Sequence, residues 1–159
     1  MTIAIYAGSF DPITKGHLDI LKSGSEIFDK VIIAVANNSD KKGLIPVEKR
    51  VELIKKSISD IKNVEVDCYS GLTFEYAKSK GATVLLRGLR NSLDFDYEIQ
   101  LAQANNTMHS DLKTVCLFTK PELSFVSSSL VKEIVSNNGD ISKFVPTPVL
   151  EYLNSIRDI

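Results

Sequence analysis

Five short apolar runs, each separated from the next by a stretch of helical periodicity, constrain this chain more than any other feature of its sequence. The runs cover residues 3–7, 31–36, 64–68, 83–86 and 114–118 and are rich in branched side chains. They read as buried strands of a parallel sheet, whose two covered faces remove the usual alternation of apolar and polar residues. The clearest helix lies over residues 46–61. There Val47, Val51, Ile54, Ile58 and Ile61 recur at steps of four, three, four and three, which is one stripe of a helix. Pro46 suits its first helical position. Further helices are expected near residues 16–28, 72–80, 92–109, 127–136 and 148–156, the last capped by Thr147. Strand and helix alternating in this way predict an α/β fold, a doubly wound five-stranded parallel sheet with C-terminal helices.

Composition narrows the function classes. A chain of 159 residues with 43% hydrophobic residues suits one compact domain over 1–159. Nineteen basic and twenty acidic residues give a net charge of -1, without the basic excess usual in a nucleic-acid binder. The longest apolar run, residues 31–36, is far short of the ~20 residues of a membrane helix. The N-terminus lacks the basic and apolar regions of a signal peptide. The expectation is a cytoplasmic protein with no nucleic-acid or membrane partner. Cys68 and Cys116 form no CxxC pair and are expected as small buried side chains.

Three segments carry chemistry. The first, AGSFDPITKGHLDI over residues 7–20, links strand one to a helix. Gly8 allows close approach of a ligand, Ser9 adds a hydroxyl, and Gly16-His17 brings an imidazole to the first helical turn, where free N–H groups favour phosphate. It is neither GxxxxGK[ST] nor GxGxxG. The second, LLRGLRNSLDFDYE over residues 85–98, places Arg87 and Arg90 around Gly88 at the end of strand four. One such arginine would read as a solvated residue or as a partner of Asp94; two after a buried strand favour an anion site. Asp94 and Glu98 share a helix face, suited either to indirect contact with a magnesium nucleotide or to plain solvation. The third, SFVSSSLVKE over residues 124–133, opens a helix with three serines, more than capping needs. If the strand order is 3-2-1-4-5, it reverses between strands one and four, and these features share one crevice.

Together the motifs Gly-Ser-Phe-Asp-Pro-Ile-Thr-Lys-Gly-His, Arg-Gly-Leu-Arg, Asp-Phe-Asp-Tyr-Glu and Ser-Phe-Val-Ser-Ser-Ser-Leu-Val-Lys-Glu resemble those of the bacterial phosphopantetheine adenylyltransferase family. The Gly-His part alone marks only the wider nucleotidyltransferase superfamily; the Arg-Gly-Leu-Arg and Ser-Ser-Ser segments are more specific. The resemblance implies AMP transfer from ATP to 4′-phosphopantetheine, giving dephospho-coenzyme A and pyrophosphate. It implies that His17 stabilises the transition state and that Ser9, Lys41, Thr73 and Arg87 hold phosphopantetheine. ATP would be held by Ser9, Phe10, His17, Gly88, Leu89, Arg90, Glu98, Leu123, Ser124, Phe125, Val126, Ser127, Ser128 and Ser129. It also implies Mg2+ with ATP, a homohexamer and feedback inhibition by coenzyme A. Where the family more often has threonine, this chain has Ser9, which keeps the hydroxyl. A nucleotidyltransferase using CTP or another acceptor, and a non-catalytic nucleotide sensor, are the competing readings.

Overall fold

A computed structural model describes residues 1–157; the last two positions of the expected 1–159 domain lie outside the described residues. The elements run β1 (Ile3–Gly8), α1 (Lys15–Ile27), β2 (Lys30–Ala36), α2 (Val47–Ser57), β3 (Val64–Tyr69), α3 (Thr73–Ser79), β4 (Val84–Leu89), α4 (Ser92–Met108), β5 (Lys113–Phe118), α5 (Ser128–Ser136) and α6 (Thr147–Ile156), with a 3-10 turn at Pro121–Leu123. The sheet is parallel, in the order β3-β2-β1-β4-β5, so the doubly wound reading and its strand order both hold. Each face of the sheet carries its own core. On one, Ala4, Ile33, Val35 and Leu86 pack with Ile20, Ile54 and Leu153. On the other, Ile5, Ile32, Ala34 and Leu85 pack with Ala77 and Leu112.

The pairing of the central strands creates the functional end of the sheet. β1 and β2 stay in register over six residue pairs, from Ile3 with Lys30 to Gly8 with Val35. β1 and β4 pair only at Ala4 with Val84 and Ile5 with Leu85. Beyond that point the two strands part, and their carboxyl ends open a crevice where the winding direction reverses.

Several local expectations are corrected. α2 starts at Val47, with Pro46 as its N-cap residue, and ends at Ser57. Ile58 and Ile61 nonetheless continue the apolar stripe on the core, because the chain turns past the helix end with Ile61 N–H donating to Ile58 C=O. Thr147 is inside α6 rather than its cap; Pro146 takes the cap position without a side-chain bond. β4 runs three residues further than its apolar core suggested, to Leu89. Cys68 and Cys116 are exposed, not buried. They stand on β3 and β5, the two edge strands, whose side chains are only partly covered.

Candidate active site

The crevice is a cleft of about 370 Å³ over the ends of β1 and β4, walled by the β1–α1 turn and the start of α5. Ser9, Phe10, His17, Arg87, Gly88, Arg90, Glu98, Val126, Ser127, Ser128 and Ser129 all line it. The three sequence segments therefore converge, although they are separated by up to 120 residues of chain.

The β1–α1 turn is held from several sides. Phe10 adopts φ 46, a left-handed conformation that costs a bulky residue energy. Its ring is buried, edge-on to Tyr6 at 5.2 Å and to His17 at 5.0 Å. The Asp11 carboxylate accepts the Leu44 and Ile45 N–H groups at 2.8 Å each, and Lys132 approaches it at 3.4 Å. Arg50 donates to the carbonyls of Ser9 and Ile45, both at 2.8 Å. Ser128 ties the start of α5 to the same turn by donating to Pro12 C=O at 2.8 Å.

His17 is the third residue of α1 and part of an unusual cap. Thr14 Oγ1 accepts from the His17 N–H at 3.3 Å, while the Thr14 N–H donates to His17 Nδ1 at 3.0 Å. An accepting Nδ1 puts the ring proton on Nε2. Burial, then the fields of Arg90 and Arg87, push the imidazole pKa down to about 4. Near neutral pH the ring is thus an uncharged Nε2–H donor in the crevice.

Both arginines meet the acids that the sequence left open. Arg87 makes a bidentate pair with Glu98, Nε to Oε2 and Nη2 to Oε1 at 2.8 Å each, and Nη1 donates to Ala7 C=O at 2.9 Å. That last bond bridges β1 and β4 where their backbone pairing stops. Glu98 is buried, not on a solvated face. Arg90 binds Asp94 through Nε and Nη2 at 3.0 and 3.2 Å, and Nη1 reaches Val126 C=O at 3.3 Å. Among the described residues no cluster of three or more metal-ligating side chains is present.

The serines divide their work. Ser127 caps α5 by accepting the Leu130 N–H at 3.1 Å. Ser128 anchors the turn, and Ser129 is exposed on the cleft wall. Gly88 lets β4 approach α1, since a Cβ there would lie 2.8 Å from Ile20 Cγ1.

Six predicted positions do not line this cleft. Leu89 is buried beside it, and Leu123, Ser124 and Phe125 lead up to its Val126 wall. Lys41 and its neighbour Lys42 are exposed on the loop that Asp11 anchors. Thr73 begins α3, with its hydroxyl 2.8 Å from Tyr69 Oη. It lines a second cavity of about 160 Å³ with Leu72, Phe74, Leu101, Asn105 and Met108. Arg87 and Glu98 border both cavities. Sequence reasoning missed Tyr6, Tyr97 and Thr119 in the cleft and Arg50 behind it. Tyr6 lay inside a run read as plain strand, and Arg50 inside an amphipathic helix, so neither carried a separate signal.

Known proteins resemble this chain in sequence and in fold. A family model described as cytidylyltransferase-like matches residues 5–134. A phosphopantetheine adenylyltransferase of Geotalea daltonii is 48% identical over 98% of this chain and 96% of its own length. One from Crocosphaera subtropica is 53% identical over 95% of this chain and 96% of its own. A solved structure from Vibrio parahaemolyticus, described as a candidate nicotinate-nucleotide adenylyltransferase, superposes with a TM-score of 0.66 at 19% identity, covering 97% of this chain and 99% of that one. At that identity it speaks for the fold alone.

Proposed function

The chain belongs to the phosphopantetheine adenylyltransferase family, and from that membership we propose that its crevice moves AMP from ATP onto 4′-phosphopantetheine, releasing pyrophosphate and dephospho-coenzyme A. One structural observation carries the reading. A cleft rich in phosphate-type donors and a mainly apolar cavity meet at the Arg87–Glu98 pair. The first suits the triphosphate. The second suits a pantetheine arm, whose phosphate would then face the cleft. Comparing pyrophosphate release with ATP and with CTP, in the presence of 4′-phosphopantetheine, tests the nucleotide. Equal turnover of CTP would reject the assignment.

The nucleophile is the acceptor's own phosphate. Its second pKa is near ~6, so it is mostly ionised at pH 7 and requires no side-chain base. The task left to the protein is to hold two anions together and to stabilise the charge that moves toward pyrophosphate. His17 Nε2–H is the donor for the α-phosphate of the transferring adenylyl group, with Arg87 and Arg90 around it. Ser9 touches both substrates, and the Ser9–Phe10 backbone approaches the nucleotide. Gly88, Leu89, Arg90, Glu98 and the segment from Leu123 to Ser129 hold ATP, while Lys41, Thr73 and Arg87 hold phosphopantetheine. For Lys41 this requires the exposed loop to fold over the bound acceptor. Calorimetry of the Lys41→Ala and Arg87→Ala proteins separates these roles: equal losses for ATP and phosphopantetheine would reject the division.

The acidic limb of kcat/KM is expected near pH ~6 and belongs to the substrate. With its pKa pushed down to about 4, His17 stays neutral across that limb. As pH falls through ~6 the acceptor phosphate gains a proton and loses nucleophilicity, so the rate drops. An acceptor analogue with a lower phosphate pKa should shift the limb downward. A limb that stays fixed would assign it to the enzyme.

Three further features go with the proposal. Mg2+ would enter with the triphosphate, since Asp94 and Glu98 are each engaged by an arginine; full activity in excess chelator would reject this. The exposed apolar side chains Leu93, Phe95, Tyr97 and Phe118 on α4 and β5 support assembly into a homohexamer, which a monomer mass in light scattering would exclude. Coenzyme A, which shares the acceptor's pantetheine arm, would compete as a feedback inhibitor; unchanged rates at saturating coenzyme A would refute that. No helix among the described residues is long and apolar enough to cross a membrane. The reading places this ATP-consuming step in the cytoplasm, and recovery of the native protein only in a membrane pellet would contradict it.

A further inference from the structure

Tyr6 is a buried polar residue in the crevice wall that the mechanism above does not use. It stands on β1 two residues before Gly8, with its ring edge-on to Phe10 at 5.2 Å and 6.4 Å from the His17 ring. The residue is only 5% exposed, yet it lines the cleft. No group among the described residues forms a hydrogen bond with its hydroxyl. A phenylalanine here would keep the edge-on contact with Phe10 and the same place in the buried core. The Tyr6 hydroxyl is not among the sealed polar atoms left without a partner, so it reaches the open space of the cleft. The ring, and not the hydroxyl, accounts for the packing of this residue in the fold.

Its surroundings point to what completes it. Burial raises the phenol's pKa above its ordinary range, while the positive fields of Arg87 and Arg90 act on it from the crevice. It remains a protonated O–H donor at every pH where the enzyme works, so it cannot serve as a base. The arginines, the His17 Nε2–H and the start of α1 all favour an anion in the same space.

We propose that the Tyr6 hydroxyl is a substrate-binding donor, giving its hydrogen bond to a phosphate oxygen of a substrate in the crevice. The inference rests on the adenylyl-transfer reading, and it adds a residue outside the three motif segments to the binding surface. A hydroxyl paired with an anionic oxygen makes a stronger bond than a neutral pair.

The test is Tyr6→Phe, which removes one oxygen and leaves the ring. The melting temperature of the empty protein should equal or exceed that of the parent. At the same time kcat/KM should fall about 10-fold to 100-fold. A rise confined to the KM for ATP identifies the triphosphate as acceptor of the bond. A rise confined to the KM for 4′-phosphopantetheine identifies the acceptor phosphate. A loss confined to kcat identifies the α-phosphate of the transferring adenylyl group in the transition state. Calorimetry of ATP and of 4′-phosphopantetheine, each added alone to parent and variant, reads ground-state contacts independently of turnover. Unchanged kinetics together with unchanged binding would overturn the proposal. A clearly lowered melting temperature would also overturn it, because it would mean the hydroxyl is bonded within the protein. An inactive parent enzyme would instead refute the adenylyl-transfer reading, leaving the binding comparison to decide on Tyr6.

Discussion

Replacing His17 by alanine is expected to lower kcat by about 10²–10³ while ATP still binds. The expectation follows from the cap that fixes the ring. With Nδ1 accepting the Thr14 N–H, the imidazole is held in one tautomer and offers Nε2–H to the crevice. Burial, helped by the fields of Arg90 and Arg87, keeps it neutral, so it donates without adding a charge that would hold pyrophosphate in place. A donor aimed at charge that develops during the reaction contributes to kcat more than to ground-state binding. Steady-state kinetics and calorimetry on the same variant check both halves. Turnover near the parent's would remove His17 from the mechanism. A large loss of ATP affinity with kcat intact would make it a plain binding residue.

The second large effect is on stability. Glu98→Ala leaves the Arg87 guanidinium, whose side chain is 25% exposed, without the carboxylate that takes two of its bonds. Breaking a buried pair from one side costs about 3 kcal/mol at the lower end of the usual range, the end suited to a partly exposed partner. For a chain of this size that is a fall of about 6–12 °C in melting temperature. Replacing both residues by methionine should cost less than either single replacement, because no buried charge is then left alone. Additive losses across the double-mutant cycle would show that the pair is not coupled.

Much of this architecture was legible in the chain. The five β-branched runs fixed the strands because a parallel sheet covered on both faces demands them. The placement of AGSFDP and RGLR at strand ends made a shared crevice follow from the strand order. What stayed hidden was tertiary. Arg87 and Glu98 are 11 residues apart on different elements, and only the angle of α4 over β4 brings them together. Asp11 meets the Leu44 and Ile45 backbone across 33 and 34 residues, a contact that no local periodicity encodes. The exposure of Cys68 and Cys116 was within reach, since the order 3-2-1-4-5 makes their strands edges. Treating every apolar run as equally buried obscured it. Lys41 shows the opposite case: sequence similarity suggests its role, but it is exposed on its loop and does not line the cleft.

The most direct test of the account is product stoichiometry. Purified enzyme would be incubated with ATP, Mg2+ and 4′-phosphopantetheine, with pyrophosphate measured enzymatically and the pantetheine product by mass spectrometry. The account predicts dephospho-coenzyme A and pyrophosphate formed one for one, and no turnover when the acceptor is withheld. Pyrophosphate released without the adenylated product, or ATP bound with no pyrophosphate released at all, would contradict it.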